Sequence, residues 1–175
     1  YKLAKNDFKT KYAGSYLGII WAFIQPVITV LVYWFVFEVG FRGGSDSLPV
    51  PFVLYLVAGI IPWFFFQDGL TGGTNSLLEY SYLVKKVVFN ISVLPVVKIL
   101  SAVFVHLFFI VFITFLYCCY GHFPDLYYLQ LLYYLAGLLL LILGLSYLTS
   151  AVVVFFRDLS QMISIALQIG IWLTP

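Results

Sequence analysis

Residues 130–156 read QLLYYLAGLLLLILGLSYLTSAVVVFF and contain no charged side chain. The hydrocarbon core of a bilayer is about 30 Å thick, and a helix that rises about 1.5 Å per residue crosses it in about 20 residues. The stretch is therefore long enough and apolar enough to span a membrane. It predicts a membrane-spanning α-helix.

The composition of the whole chain points to the same environment. Of 175 residues, 63% are hydrophobic and only 9% are charged, and the mean hydropathy is +1.06. In a soluble domain about a quarter of all residues are charged, and these keep its surface in contact with water. This composition excludes a soluble protein and predicts a surface that contacts the lipid bilayer. The net charge of +2 gives no reason to expect a nucleic-acid partner.

Other apolar stretches predict further spanning helices, which together would form a bundle. Runs of spanning length occupy residues 18–39, 51–71 and 96–120. From Met162 the chain is apolar up to Pro175, which is about two thirds of a span. A helix that ended in mid-bilayer would leave backbone carbonyls unpaired in lipid. We therefore expect an all-α, polytopic helical bundle that forms one domain over residues 1–175. We expect about five spanning helices, with the sequence ending inside the fifth.

The basic residues predict how the bundle is oriented. Lys and Arg near the ends of spans collect on the cytoplasmic side of a membrane. If the N-terminus is cytoplasmic, only Arg42 lies outside, and the rule therefore predicts a cytoplasmic N-terminus. The basic residues that then lie inside are Lys2, Lys5, Lys9, Lys11, Lys85, Lys86, Lys98 and Arg157.

Two segments outside the spans are amphipathic. In residues 1–17, Ala4 and Phe8 recur at helical spacing while lysines occupy another face, which predicts a helix in the plane of the membrane. Such a helix can also contact a cytosolic subunit. Residues 75–95, NSLLEYSYLVKKVVFNISVLP, mix apolar and charged side chains. They predict a short cytoplasmic helix that docks on a partner, and the alternative is a helix that rests on lipid headgroups.

Polar side chains within the spans form two stripes without fixed charge. Amides, hydroxyls and aromatic rings are suited to a path for a neutral, sugar-like polymer, because they can exchange hydrogen bonds and contact sugar rings. Hydrogen bonding between helices explains the stripes equally well. The stripes consist of Trp21, Gln25, Thr29 and Tyr33 in the first span, and Gln161, Ser164, Gln168 and Trp172 in the fifth apolar stretch.

Motifs for catalysis and nucleotide binding are absent from the sequence. It contains no P-loop GxxxxGK[ST] and no GxSxG, HExxH or CxxC pattern. Cys118 and Cys119 are adjacent and have no metal-binding spacing. We therefore predict that the chain is not an enzyme and holds no metal or other cofactor.

Three blocks of the sequence carry a resemblance to a known family. They are KTKYAGSYLGIIWAFIQPVITVLVYWFVF at 9–37, AGIIPWFFFQDGLTGGTNSLLEYSYLVKKVVFNISVLP at 58–95, and FFRDLSQMISIALQIGIWLTP at 155–175. In content and order they resemble the ABC-2-type transporter permeases of the polysaccharide export group, which handles O-antigen, capsule and teichoic acid. The resemblance covers nearly the whole chain.

The resemblance implies a function and a set of partners. It implies the membrane subunit of an ATP-driven exporter that moves a lipid-linked glycan out of the bacterial cytoplasm across the cytoplasmic membrane. The full subunit would have six membrane helices and form a homodimer. Separate ATP-binding cassette ATPase subunits would carry ATP and Mg, so that this chain itself needs no cofactor.

The resemblance also assigns roles to residues. It implies that the segment from Leu78 to Phe89 is the coupling helix that contacts the ATPase, with Leu78, Glu79, Tyr82, Lys85, Lys86 and Phe89 as the candidate contacts. Because aromatic side chains line the family's path, it also favours Trp21, Tyr33 and Trp34. The candidate path-lining residues are then Trp21, Gln25, Thr29, Tyr33, Trp34, Ser164, Gln168 and Trp172.

Two alternatives remain at this point. One is an ABC-2 exporter of a drug, an antibiotic or another small hydrophobic compound, which a narrower and less aromatic path would favour. The other is a membrane-embedded enzyme of glycan or lipid metabolism. Such an enzyme would need acidic or histidine residues clustered near an interface, and the sequence has no such cluster.

Overall fold

The computed structural model describes residues 2–11, 16–40, 50–81 and 90–173, and every element of secondary structure in these ranges is helical. The prediction of an all-α bundle is therefore confirmed. The α-helices are α1 (Lys2–Lys11), α2 (Trp21–Trp34), α3 (Phe52–Glu79), α4 (Val93–Cys119), α5 (Gln130–Phe155) and α6 (Leu159–Leu173). Short 3-10 turns precede α2 (Gly18–Ile20) and α5 (Leu126–Leu129), and a π-helical segment follows α2 (Phe35–Gly40).

Four helical stretches are long enough and apolar enough to cross a membrane. They are Gly18–Phe37, Phe52–Glu79, Val93–Cys119 and Leu126–Phe155. They correspond to the four complete spans expected from the sequence. The fifth apolar stretch forms α6, whose 15 residues are fewer than the roughly 20 that a span needs.

The second span is longer than its hydropathy predicts. We expected it to end at about Thr71, but α3 continues to Glu79, so that Leu78 and Glu79 lie in its last turn. Gly73, Thr74 and Ser76 have a low helix propensity, yet all are buried in this extension. Tertiary packing therefore overrides local propensity here, and the predicted coupling segment 75–95 starts inside α3.

α3 is the central helix of the bundle. It packs along α4 and α5 and also contacts α2 and α6. One apolar core joins α3, α4 and α5 around Phe65, Ile99 and Ile142. A second core, around Ile61 and Phe109, joins α3 and α4 to α2. The spanning helices are thus assembled around one helix.

Small side chains bring α3 and α5 close together. A methyl group added at Gly73 would lie 2.2 Å from Ser146 Oγ, and one added at Gly69 would lie 3.1 Å from an Ile142 side-chain carbon. At the next residue of α3, the hydroxyl oxygens of Thr74 and Thr149 are 2.7 Å apart and share a hydrogen bond. Close approach through small residues is typical of membrane helix pairs.

α1 packs against α4 at the end of the bundle where α3 ends and α4 begins. We call this the basic end. Ala4 is only 1% exposed, and the Phe8 ring lies 6.1 Å from the ring of Phe104, while Lys5 and Lys9 are exposed. The described part of this helix thus has one face packed on protein and exposed lysines elsewhere, while its predicted place in the plane of the membrane stays a prediction. The interfacial helix was expected over 1–17; α1 runs to Lys11, and residues 16–17 form a turn.

Candidate functional site

An open cavity of about 710 Å³ lies between α2, α3, α4 and α6. Its volume is within the range of small-molecule binding sites, about 300–1,000 Å³. The helix α2 contributes Trp21, Ala22, Gln25, Pro26, Thr29 and Tyr33, and α3 contributes Ile61, Phe64, Phe65, Gln67, Asp68 and Thr71. The remaining walls are Ala102, Val105, His106 and Phe109 of α4, Leu167, Gln168, Ile171 and Trp172 of α6, and Lys11 of α1.

All four residues of the first predicted stripe, which we call the α2 stripe, line this cavity. They are Trp21, Gln25, Thr29 and Tyr33. A spacing of four residues keeps side chains on one face of a helix. The Thr29 hydroxyl donates a hydrogen bond to the Gln25 carbonyl at 3.0 Å, so that its own helix pairs it without help from another.

The second predicted stripe contributes to the cavity only in part. Gln168 and Trp172 of α6 line it, whereas Gln161 and Ser164 do not. The Ser164 hydroxyl donates to the Ser160 carbonyl within α6 at 3.0 Å. Trp172 meets the α2 stripe directly, since its ring stands edge-on to that of Tyr33 with the centroids 6.1 Å apart.

Trp34 is the other path candidate that does not line the cavity. It follows Tyr33 directly, and neighbouring residues on a helix point in directions about 100° apart. Trp34 is half-buried in the last turn of α2. Its predicted place on the path, like that of Ser164, therefore stays a prediction.

An ion pair that the sequence did not reveal lies on the wall of the cavity. Lys11 Nζ of α1 is 2.5 Å from Asp68 Oδ1 of α3, and both side chains are 41% exposed. The two residues are 57 positions apart in the chain. Asp68 stands out in the sequence as a charge within an apolar run, but no local pattern pairs it with Lys11.

His106 is a second feature that the sequence left open. It is 6% exposed, and its ring stacks on Phe65 with the centroids 4.4 Å apart. We would expect a hydrogen bond for a histidine at this depth, yet Nδ1 is buried without a hydrogen-bond partner in the part of the chain that the structure describes. It lies on the α4 wall, across from the α2 stripe.

Comparison with known proteins identifies the family. A sequence profile described as ABC-2 type transporter matches residues 1–175, the whole chain. The chain belongs to the ABC-2 type transporter family. The resemblance noted from the three sequence blocks is thereby confirmed. As an ABC-2 family member with four helices of spanning length, the chain is a multi-pass membrane protein.

Curated relatives of this ABC-2 chain carry a more specific name. Two from Klebsiella pneumoniae, both called O-antigen export system permease protein RfbA, are 29% and 27% identical. Each match covers 99% of this chain and 66% of the relative. A protein of the same name from Myxococcus xanthus is 28% identical over 99% of this chain and 65% of its own length. The chain thus spans slightly less than two thirds of these relatives.

The residues predicted to couple this ABC-2 chain to an ATPase are described only in part. Leu78 and Glu79 lie in the last turn of α3, where Glu79 accepts a salt bridge from Lys98 of α4. The other four candidates, Tyr82, Lys85, Lys86 and Phe89, lie outside the described residues. Their coupling role stays a prediction.

Proposed function

We propose that this chain is the membrane-spanning subunit of an ATP-driven exporter that moves a lipid-linked polysaccharide out of the cytoplasm. The observation that carries the proposal is the cavity between α2 and α6. Its walls bring together the whole α2 stripe and two residues of the second predicted stripe. The names of the curated relatives, which refer to O-antigen export, support the same substrate class.

The chemistry of the cavity suits a sugar polymer. The amides of Gln25 and Gln168 both donate and accept hydrogen bonds, as sugar hydroxyls do. The rings of Trp21, Tyr33 and Trp172 offer flat apolar surfaces that also carry a polar N–H or O–H group. Such a lining allows a polymer to exchange one weak contact for another as it moves.

The charges of the cavity argue against a path for ions. Lys11 and Asp68 neutralise each other in an ion pair, and both lie toward the basic end. The lining residues of α2, α4 and α6 include no Asp, Glu, Lys or Arg, whereas ion paths in membranes usually carry several charged side chains within the spans. The aromatic lining also favours a glycan over a small hydrophobic compound, for which we would expect a less aromatic path.

The proposal includes partners that supply the energy. Two copies of the permease would enclose the path, and two ATP-binding cassette ATPase subunits would bind ATP and Mg. The ATPases would dock at the basic end, which the distribution of Lys and Arg predicts to be cytoplasmic. Closure of the ATPase pair on ATP would push the coupling segment and widen the cavity.

The lining residues provide the test. In a cell that depends on the full-length permease and its ATPase for surface polysaccharide, we expect Trp21→Ala, Tyr33→Ala and Trp172→Ala each to lower export about tenfold, because each variant loses one aromatic surface that would contact sugar rings. A tenfold change corresponds to about 1.4 kcal/mol. Export is measured as labelled polysaccharide at the cell surface, relative to the amount of permease in the membrane.

Phe115→Ala is the matched control, because this ring is 64% exposed on α4 and does not line the cavity. We expect it to export at the wild-type rate. Wild-type export by all three cavity variants would contradict the proposed path. Export of a hydrophobic dye in place of polysaccharide would favour the small-molecule alternative.

A further inference from the structure

A second group of charges lies at the basic end, outside the cavity. Lys98 Nζ of α4 is 2.7 Å from Asp7 Oδ1 of α1 and 2.6 Å from Glu79 Oε2 of α3. The hydroxyl of Tyr80, directly after α3, donates to the same Asp7 oxygen. Lys98 Nζ also lies 5.1 Å from the centroid of the Tyr80 ring, within range of a cation–π contact. We call these four residues the Lys98 cluster.

Burial makes Lys98 the centre of this cluster. The side chains of Asp7 and Lys98 are 5% and 12% exposed, whereas Glu79 is 51% exposed. Asp7 Oδ2 is buried and makes no hydrogen bond within the described residues. A buried charge that loses its partner is strongly unfavourable. Asp7 therefore depends on Lys98, and through this bond α1 is attached to α4.

The backbone of α3 leaves room for this arrangement. The stem of Lys98 runs beside Gly72, and its Cβ lies 3.6 Å from where a Gly72 Cβ would be. The ammonium group can therefore reach along α3 to Glu79 at its end. The start of α4 is attached on its other side as well, since the Tyr147 hydroxyl of α5 donates to the Ser92 carbonyl at 2.8 Å.

The Lys98 cluster lies beside the predicted coupling segment in the chain. Glu79 and Tyr80 come immediately before residues 82–89, which contain most of the predicted coupling contacts, and Lys98 lies in the second turn of the helix that follows. Lys98 thus connects the helix that enters the coupling segment with the helix that leaves it. It connects both to α1, which the sequence analysis placed as a possible contact for a cytosolic subunit.

We propose that Lys98 is a positioning residue that makes α1 and the two helix ends beside the coupling segment move as one body. The inference rests on the proposed function, because it concerns how work done by the ATPase reaches the membrane helices. Without Lys98, a push on the coupling segment would separate these helix ends and would not displace the helices that line the cavity.

Two substitutions at Lys98 distinguish the effect of its positive charge from the effect of its side-chain size. Lys98→Met keeps a long, flexible side chain but removes the cation. Lys98→Arg keeps the cation, and its guanidinium group can still bind two carboxylates. Leu100→Met is the matched control, because it introduces the same side chain two residues away on α4, where Leu100 is 42% exposed and not part of the cluster.

The experiment uses the full-length permease with its ATPase in membrane vesicles. It measures ATP hydrolysis and polysaccharide transported per ATP hydrolysed, together with hydrogen exchange of residues 2–11. We expect Lys98→Met to keep hydrolysing ATP but to transport about tenfold less polysaccharide per ATP, with faster exchange in α1. We expect Lys98→Arg to come within about twofold of the wild type, and Leu100→Met to match it.

A normal amount of polysaccharide per ATP in Lys98→Met would overturn the inference while leaving the proposed function intact. A loss that Lys98→Arg does not rescue would also overturn it. If Lys98→Met does not insert into the membrane, Asp7→Asn decides, because it removes the carboxylate charge that attaches α1 to Lys98 and Asp7 is not a predicted ATPase contact. A lower ratio supports the inference, and an unchanged ratio overturns it. A wild-type complex that hydrolyses ATP without moving polysaccharide would overturn the proposed function, and the coupling role with it.

Discussion

The two sides of α3 differ in the size of their side chains and in how closely they pack. Toward α5 it presents Gly69, Gly73 and Thr74, and a single added methyl group at Gly73 would overlap Ser146. Toward α2 and α6 it presents large side chains such as Phe64 and Gln67, and a cavity of about 710 Å³ remains open. One helix therefore forms both a close contact with α5 and a wall of the cavity.

The difference shows how the size of side chains divides the bundle into a scaffold and a path. Small side chains let two backbones approach until their van der Waals surfaces meet, and this contact supplies much of the stability of helix pairs in lipid. Large rings on the other side hold α2 and α6 away from α3. The α3–α5 pair can then stay fixed while the opposite side accommodates a substrate.

The largest effect is expected from filling the close contact. In Gly73→Ala the new methyl group would lie 2.2 Å from Ser146 Oγ, so that Ser146 or the helices must shift. Overpacking of this kind costs about 1–3 kcal/mol. We expect a clearly lower midpoint in thermal unfolding of the permease in lipid nanodiscs.

Gly137→Ala provides the control for that measurement. No atom lies within 4 Å of a Cβ built at Gly137 on α5. Replacement of glycine by alanine within a helix should stabilise it by about 0.5–1 kcal/mol. Equal midpoints for the two variants would show that the α3–α5 contact is looser than we describe. Ser146→Gly, which removes the overlapping hydroxymethyl group, should restore part of the stability of Gly73→Ala.

An intermediate effect is expected at a close contact between α3 and α6. A Cβ at Gly170 of α6 would lie 2.7 Å from the Trp63 ring of α3. Gly170→Ala should therefore displace α6 and change the cavity, at a stability cost of about 1 kcal/mol, the low end of overpacking. We expect a clear loss of export together with only a small decrease in the unfolding midpoint. A Gly170→Ala variant with a clearly lower unfolding midpoint but normal export would contradict the distinction between scaffold and path.

The smallest effect is expected from the polar contact within the scaffold. Thr74→Val removes the hydrogen bond between the Thr74 and Thr149 hydroxyls but keeps the shape of the side chain. Hydrogen bonds between membrane helices contribute about 0.6 kcal/mol on average. A double-mutant cycle with Thr149→Val should give a coupling energy of this size and unchanged export. A coupling energy near zero would mean that small-residue packing alone holds this contact.

Local sequence patterns were sufficient to predict the helices and one wall of the cavity. The spans follow from runs of apolar residues, and Trp21, Gln25, Thr29 and Tyr33 share a face because a helix has 3.6 residues per turn. Hydropathy ends the second span at about Thr71, because the residues that follow it, 72–75, are small or polar. At Gly73 and Thr74 their small size is what α5 requires, and contacts across the bundle decide that.

The sequence alone determined that this chain is a bundle of membrane helices, because hydrophobic length and helical period are properties of neighbouring residues. Its place in the ABC-2 family follows from a match along the whole sequence. Only the tertiary structure decided which charges meet. Asp68 pairs with Lys11, and Asp7 and Glu79 share Lys98, across separations of many residues. Such pairs depend on where whole helices come to lie. Helix packing sets those positions, and no local pattern records them.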